Sequence, residues 1–197
     1  MIMSFFAGLA EHVAQHGRVY FTLMSFFLGL FCAVLAWVAS CRLPHCLPWL
    51  TAALRSRPAG LGMGVICLAW SAYHACIMLE GDLARFHPHV WTLVPVTAVL
   101  SWFFLDFLLA RSAGGFLVLA VNFLLFGAFV HDVPWRPLYS LACLVLGVTG
   151  LFAIGAPWYI RDVLQAAARR PAWARGGAVL LGLMALVLAG LSLMARQ

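Results

Sequence analysis

The chain has 197 residues, of which 65% are hydrophobic and only 9% are charged, and its mean hydropathy is +1.01. A soluble domain is about 45–50% apolar and about 25% charged, so a water-soluble fold of this composition would expose large apolar patches. The net charge of +6 comes without any nucleic-acid-binding motif, and a nucleic-acid partner is therefore not expected. The composition predicts an integral membrane protein, with the lipid bilayer as its first partner.

Residues 1–18 are predicted to form an amphipathic segment on the outer surface of the membrane. Phe5, Leu9 and Val13 recur at helical spacing, which is typical of a helix with one apolar face. The same spacing also fits an N-terminal extension of the first membrane span. The segment lacks the basic start of a secretory signal, because its first cationic side chain is Arg18.

Residues 19–197 are predicted to form a single all-α domain, a bundle of about six transmembrane helices. Each predicted span is an apolar run of about 20 residues, the length that a helix needs to cross a hydrocarbon layer of about 30 Å. Continuous apolar runs favour helices over barrel strands, in which every second residue would be polar. Similar arginine–glycine sequences before the even-numbered spans indicate that the bundle could consist of three helical hairpins. The predicted spans are Val19–Ser40, Gly60–Leu79, Val90–Ala110, Gly114–Val130, Pro137–Trp158 and Gly176–Ala195.

Arginine determines the predicted orientation, since the chain has no lysine. The loops after the first, third and fifth spans carry most of the arginines, which places these loops in the cytoplasm and both termini outside. The lysine-free composition is typical of a GC-rich bacterial gene, so the predicted location is the bacterial inner membrane. The inner arginines are Arg42, Arg55, Arg57, Arg111, Arg161, Arg169, Arg170 and Arg175, and the outer ones are Arg18, Arg85, Arg136 and Arg196.

The last inner loop, "APWYIRDVLQAAARRPAWARGG", resembles a cationic helix on the membrane surface. Its arginines would attract anionic lipid headgroups, at about 1 kcal/mol each, or an acidic face of a partner protein. The lipid- or partner-facing candidates are Arg161, Arg169, Arg170 and Arg175.

Three polar side chains are predicted to lie inside the spans, where such groups are costly and are candidates for function. His74 could be a ligand, a proton relay or a pocket residue, or it could simply hydrogen-bond to a neighbouring helix. Asp106 is expected to pair with an arginine of an inner loop, or alternatively to carry protons or a cation. Asn122 could bridge two helices through its amide.

Glycines are expected where helices approach closely, because burial of apolar groups does not drive helix association in lipid. Gly147 and Gly150 in the fifth span and Gly177, Gly182 and Gly190 in the sixth are the predicted contact positions.

Most histidines and carboxylates are predicted to gather on the outer side of the membrane. Imidazole and carboxylate groups together are ligands for zinc, copper and iron, and a histidine at a helix end can also bind haem iron axially. Wet loops also collect such residues without binding anything, and their spacing matches no strong metal motif. The sequence therefore leaves the cofactor unknown, with a metal ion or haem as an open alternative. The weak candidates are His12, His16, His74, Glu80, Asp82, His87, His89, His131 and Asp132.

No nucleophile elbow, phosphate loop or HExxH zinc sequence occurs in the chain, so an enzyme is not the favoured class. The favoured hypothesis is a non-catalytic, multi-pass subunit or scaffold of a larger inner-membrane assembly, with other membrane protein subunits as partners. The first alternative is a small-solute or ion transporter module that uses Asp106 and His74. The second alternative is a metal- or haem-binding redox subunit that uses the outer histidines.

Overall fold

The computed structural model describes residues 17–79 and 81–194, without the side chains of Arg42 and Asp82. This part of the chain is all-helical and contains no β-strand. A π-helical turn, Val38–Arg42, continues the first helix, and a 3-10 helix, Gly81–Phe86, precedes the fourth. The α-helices of the described residues are α1 Gly17–Trp37, α2 Leu43–Leu54, α3 Arg57–Met78, α4 His87–Phe104, α5 Leu108–Val130, α6 Arg136–Gly155, α7 Pro157–Arg169 and α8 Pro171–Met194.

Proline marks the beginning of several of these helices. Pro157 and Pro171 are the first residues of α7 and α8, and Pro58 is the second residue of α3. At these positions the backbone nitrogen has no partner inside the helix, so proline removes no hydrogen bond, and its fixed φ suits a helix. Pro157 and Pro171 thereby separate α7 from the helices on either side of it.

Five helical segments are long and apolar enough to cross a membrane: Gly17–Cys41, Arg57–Met78, Leu108–Val130, Arg136–Gly155 and Pro171–Met194. The prediction of several membrane-spanning helices is thereby confirmed at the level of length and composition. The third predicted span corresponds to α4, which is not among the five. Its first three residues are two histidines and a proline, and these lower the hydropathy of an 18-residue helix. A bundle of six spanning helices is therefore not confirmed.

The boundary between the third and fourth predicted spans also differs from the expectation. Helix α4 ends at Phe104 and not at Ala110, and α5 begins at Leu108 and not at Gly114. The fourth span, expected to be short, is a helix of 23 residues. The chain leaves the helical conformation at Leu105, and Phe107 has a φ of 55°, which a continuous helix does not permit.

The chain divides into two compact units. In the described residues, the first unit contains α1 with its π-helical turn, α8, the end of α5 and the beginning of α6. The second unit contains α2, α3, α4, α7, the beginning of α5 and the end of α6. Each unit includes parts of candidate membrane spans, so the division does not separate a membrane part from a soluble part.

In the first unit, α1 packs along α8 in an antiparallel direction. The Ser25 hydroxyl reaches the carbonyl oxygen of Leu188, and Gly29, one turn further along α1, lies against Ala185. A methyl group at Gly29 would be 3.1 Å from the Ala185 carbonyl oxygen, so glycine permits this approach. Because the two helices run in opposite directions, the beginning of α1 and the end of α8 lie at the same end of the unit.

In the second unit, glycines bring α5 against α3 and α6. A methyl group at Gly60 would lie 2.5 Å from the backbone nitrogen of Leu109, and one at Gly114 would lie 2.6 Å from the Gly150 carbonyl oxygen. The predicted role of Gly150 as a position where two helices approach closely is thus confirmed. The other predicted contact positions in α8 do not approach a neighbouring helix of the described chain. An added methyl group would have open space around it at each of Gly177, Gly182 and Gly190.

Candidate functional site

The most buried polar group of the first unit is a hydrogen-bonded cluster that joins three helices. Ser25 in α1 and Tyr139 in α6 are both 0% exposed, and their hydroxyl oxygens are 2.8 Å apart. The Ser25 hydroxyl also donates to the Leu188 carbonyl oxygen of α8 at 2.8 Å. Since serine has one proton to donate, the Tyr139 hydroxyl must be the donor to Ser25. Each polar group of the cluster has a hydrogen-bond partner, so the cluster connects α1, α6 and α8.

His131 lies at the end of α5, beside the beginning of α1. Its ring is 5.4 Å from the ring of Phe21, and a methyl group at Gly17 would be 3.9 Å from its Nε2. Burial lowers the pKa of His131 below its ordinary value of 6.5, and the positive charge of Arg18 lowers it further, against a hydrogen bond with the Gly17 backbone. The neutral imidazole is therefore favoured. Neighbouring Asp132 forms an ion pair with Arg136, one helical turn later.

His74 lies half-buried near the end of α3, four residues before Met78, and is hydrogen-bonded within its own helix. The indole Nε1 of Trp70 donates to Nε2 of His74 at 2.8 Å. Nε2 is thus the acceptor of this bond, because the indole nitrogen can only donate. The hydrogen-bond partner of this ring is a residue four positions earlier on the same helix, and the alternative of a bond to a neighbouring helix is not observed among the described residues.

Asp106 lies in the break between α4 and α5 and is exposed, so the expectation that it lies within a helical span is corrected. No described residue forms an ion pair with its carboxylate. Arg111 instead donates from Nε to the backbone carbonyl of Asp106 at 3.3 Å, and from Nη1 to the carbonyl of Ile154 in the last turn of α6. The predicted ion pair between the Asp106 carboxylate and an arginine is therefore not found among the described residues, and Arg111 instead satisfies backbone carbonyl groups near the helix ends.

Asn122 lies in the middle of α5 and is exposed. Within the described chain no residue hydrogen-bonds to its amide, so it does not bridge two of these helices. Two exposed phenylalanines follow on the same side of the helix at four and seven residues: Phe126, 70% exposed, and Phe129, 65% exposed. The amide therefore belongs to an outward, otherwise apolar surface of a candidate span.

The outer histidines are only partly within the described residues, which exclude His12, His16 and Glu80 and give no side chain for Asp82. His87 donates from Nε2 to the Leu79 carbonyl at 2.8 Å and so connects the beginning of α4 to the end of α3. His89 is exposed, with its ring 6.1 Å from that of Phe86. Across the part of the chain that is described, no three His, Cys, Asp or Glu side chains are close enough to hold a metal ion. Metal or haem binding at these residues stays a prediction.

The predicted basic residues of the last inner loop are distributed over two helices. Arg161 and the exposed Arg169 belong to α7, whereas Arg175 lies in α8 and donates to the Pro171 carbonyl of its own first turn. Arg170, also exposed, connects the two helices. The α7 helix is strongly amphipathic, as expected for a helix on a membrane surface.

The second unit contains a cavity of about 210 Å³ between α3, α4 and α5. Its wall is mostly apolar, with the hydroxyl groups of Ser101 and Ser112 and the guanidinium of Arg111 as polar members. Ser112 donates to the Gly60 carbonyl at 2.7 Å, and Arg111 holds the carbonyls described above. Since ligand sites usually enclose about 300–1,000 Å³, this cavity is small for a cofactor.

Sequence patterns did not single out Ser25, Tyr139 or Ser112, although these residues make the buried hydrogen bonds between helices. A hydroxyl group in an apolar run is common. Most such groups bond to their own helix, and the sequence does not show which of them bond to another helix. The sequence matches no protein-family model, and no curated protein or solved structure is similar to it by comparison.

Proposed function

We propose that this protein is a non-catalytic, multi-pass subunit of a larger assembly in the bacterial inner membrane. The observation that carries this proposal is the exposed amide of Asn122 in the middle of an apolar span. A polar group that faces hydrocarbon without a hydrogen bond costs several kcal/mol, roughly 2–7 kcal/mol for an amide. A transmembrane helix of a partner subunit with a polar group at the same depth would remove this cost.

The neighbouring residues support the same interpretation. Asn122, Phe126 and Phe129 share one side of α5, so a partner helix would contact two large aromatic rings together with the amide. Hydrogen bonds between helices in membranes contribute about 0.6–2 kcal/mol, and packing supplies the rest of the association energy. The partner we propose is therefore a membrane-embedded helix of another protein chain.

Six membrane crossings are part of this proposal, with α4 as the crossing of marginal hydropathy. Gly60 near the beginning of α3 lies against Leu108 and Leu109 at the beginning of α5, so these two spans start at the same level. The chain leaves α3 at its far end, Met78, and must return to that level before Leu108. Helix α4 has 18 residues, and at 1.5 Å per residue it covers about 27 Å, nearly the thickness of the hydrocarbon layer.

Both termini are placed on the outer side in this proposal. The antiparallel packing of α1 and α8 puts the beginning of one beside the end of the other. His131, in the connection between α5 and α6, lies against Gly17 and therefore marks the same end of the first unit. These two contacts fit an even number of crossings, with the arginine-rich ends of the helices in the cytoplasm.

The transporter alternative receives less support from the geometry. Its proposed residues do not converge, because Asp106 lies outside the helices, His74 is held by Trp70, and Asn122 is exposed. No described cavity contains any of the three residues.

Extraction of the tagged full-length chain from its native membrane in mild detergent tests the proposal. We expect a complex heavier than the 21.5 kDa chain, measured by native mass spectrometry, and we expect N122L to release the partner. N122Q, which keeps an amide, and L141A, an exposed change on α6, are the controls that should retain it. A bare monomer from wild-type membranes, or an unchanged complex with N122L, would contradict the proposal.

A further inference from the structure

A groove of about 270 Å³ in the second unit lies between α2 and α7. Its side chains come from three separate parts of the chain: Thr51 and Arg55 from α2 and the turn after it, Phe107 from the break before α5, and Arg161 and Gln165 from α7. We call it the α2–α7 groove. Its wall brings together two guanidinium groups, of Arg55 and Arg161, that lie about a hundred residues apart in the sequence.

Several hydrogen-bond donors of this wall have no acceptor bonded to them among the described residues. The Arg55 guanidinium lies over the Phe107 ring at 5.5 Å, and no described residue accepts a hydrogen bond from it. Arg161 uses Nε and Nη2 for the Asp162 carboxylate, at 3.1 and 3.0 Å, which leaves Nη1 available. The Gln165 amide likewise has no bonded acceptor among the described residues, whereas the Thr51 hydroxyl donates to its own helix.

The lining contains no carboxylate, so the groove is a local excess of positive charge. Asp162 neutralises part of Arg161 from outside the groove but does not compensate Arg55. Guanidinium groups match phosphate oxygens because their planar N–H donors can bind two oxygens at once. The chemistry of the wall therefore selects a phosphate group.

The position of the groove identifies the source of that phosphate. Arg55 is two residues before α3, and Phe107 directly precedes α5, so both lie at the ends of candidate membrane spans. Trp49, 73% exposed, and Tyr159, 56% exposed, are on the same two helices as the groove residues. Exposed tryptophan and tyrosine at span ends are typical of the headgroup layer. Lipid phosphates are concentrated at this depth.

We propose that the α2–α7 groove binds the phosphodiester headgroup of an anionic phospholipid. The Arg55 and Arg161 guanidinium groups contact the phosphate oxygens, and the Gln165 amide donates to the phosphate or to a headgroup hydroxyl. The acyl chains remain in the bilayer beside the exposed apolar surface. This site is independent of the partner surface at Asn122, which belongs to the other unit.

Lipid titration of the purified full-length protein in detergent tests this proposal. Binding of phosphatidylglycerol, phosphatidylcholine and inorganic phosphate is counted by native mass spectrometry, and the shift of the melting temperature is measured in parallel. We expect phosphatidylglycerol to bind and to raise the melting temperature, with weaker effects of phosphatidylcholine. The double variant R55Q/R161Q should bind phosphatidylglycerol roughly 25-fold more weakly, because each guanidinium in direct contact with the phosphate contributes about fivefold to the binding of an anionic lipid.

A matched double variant separates the groove from the general positive charge of this surface. R57Q/R169Q removes two exposed arginines, at the beginning of α3 and at the end of α7, that do not line the groove, and it should lose much less affinity than R55Q/R161Q. Equal loss in both double variants, or equal binding of the two lipids to the wild type, would overturn the proposal. Displacement of phosphatidylglycerol by millimolar inorganic phosphate would assign the groove to free phosphate instead.

If R55Q/R161Q does not fold, the charge-retaining variant R55K keeps the test decisive. Lysine preserves the positive charge but loses the planar donor pair, so R55K should bind phosphatidylglycerol with an intermediate affinity. An affinity equal to that of the wild type would show that Arg55 makes no directed contact with the phosphate and would overturn its assigned role.

Discussion

Replacement of Ser25 by alanine removes the only acceptor that the described residues provide for the buried hydroxyl of Tyr139. The two oxygens are 2.8 Å apart and both residues are 0% exposed, so water cannot replace the lost bond. A buried donor without a partner costs about 1–3 kcal/mol, and we expect S25A to lower the free energy of unfolding by about 2 kcal/mol.

The reverse change, Tyr139 to phenylalanine, should be milder. Ser25 keeps its own donor bond to the Leu188 carbonyl and loses only a bond that it accepts. Hydrogen bonds between membrane helices contribute about 0.6 kcal/mol on average and at most about 1.7 kcal/mol, so we expect about 1 kcal/mol for Y139F. In the double variant no hydroxyl is left without a partner. Its cost should therefore be lower than the sum of the single costs by about 1 kcal/mol.

SDS-induced unfolding in mixed micelles, followed by tryptophan fluorescence, measures these free energies. Ser192 provides a matched control, because it is also 0% exposed but donates at 3.0 Å to Ala189 of its own helix. S192A should cost less than S25A. Additive costs of S25A and Y139F, or equal costs of S25A and S192A, would refute the claim that the hydrogen bonds of this cluster stabilise the contact between the helices.

Three further predictions follow from the described contacts. The lowered pKa of His131 means that the unfolded state binds a proton more readily, so the melting temperature should fall as the pH decreases from about 7.5 to 5.5; H131Q should reduce this dependence, and an unchanged dependence in H131Q would contradict it. G60A should destabilise the protein by several kcal/mol, roughly 2–4, because the added methyl group meets the backbone of α5, whereas G62A, with open space around it, should be neutral or stabilising in thermal melts. R111Q should cost about 1–3 kcal/mol in SDS titration, since it opens a carbonyl in the last turn of α6, and a cost near zero would contradict this capping role.

Hydropathy predicted the helical, membrane-spanning class of the chain and the approximate centres of the spans. It placed the end of the third span six residues too late, because the run from Val90 to Ala110 is apolar on both sides of Asp106. The local conformation there depends on Phe107, whose positive φ is not encoded by hydropathy. A pattern of apolar residues therefore does not predict a span boundary that depends on one backbone angle.

The candidate polar residues were identified by type, but their environments were not predictable. A sequence shows that Asn122 and Ser25 are polar groups in apolar runs, yet it does not show that Asn122 is exposed and that Ser25 is fully buried. These environments depend on which side of each helix meets a neighbour. The convergence of Arg55 and Arg161 has the same origin, because it results from the packing of α2 beside α7.

The central claim is that α4 crosses the membrane, so that the chain crosses six times with both ends outside. Single cysteines at the exposed positions Leu83 and Asp106, on either side of α4, test it directly in a variant without the native cysteines. A membrane-impermeant maleimide should label L83C in intact cells and should label D106C only after the membrane is permeabilised. Labelling of both positions in intact cells, or of neither, would place them on one side and contradict the claim.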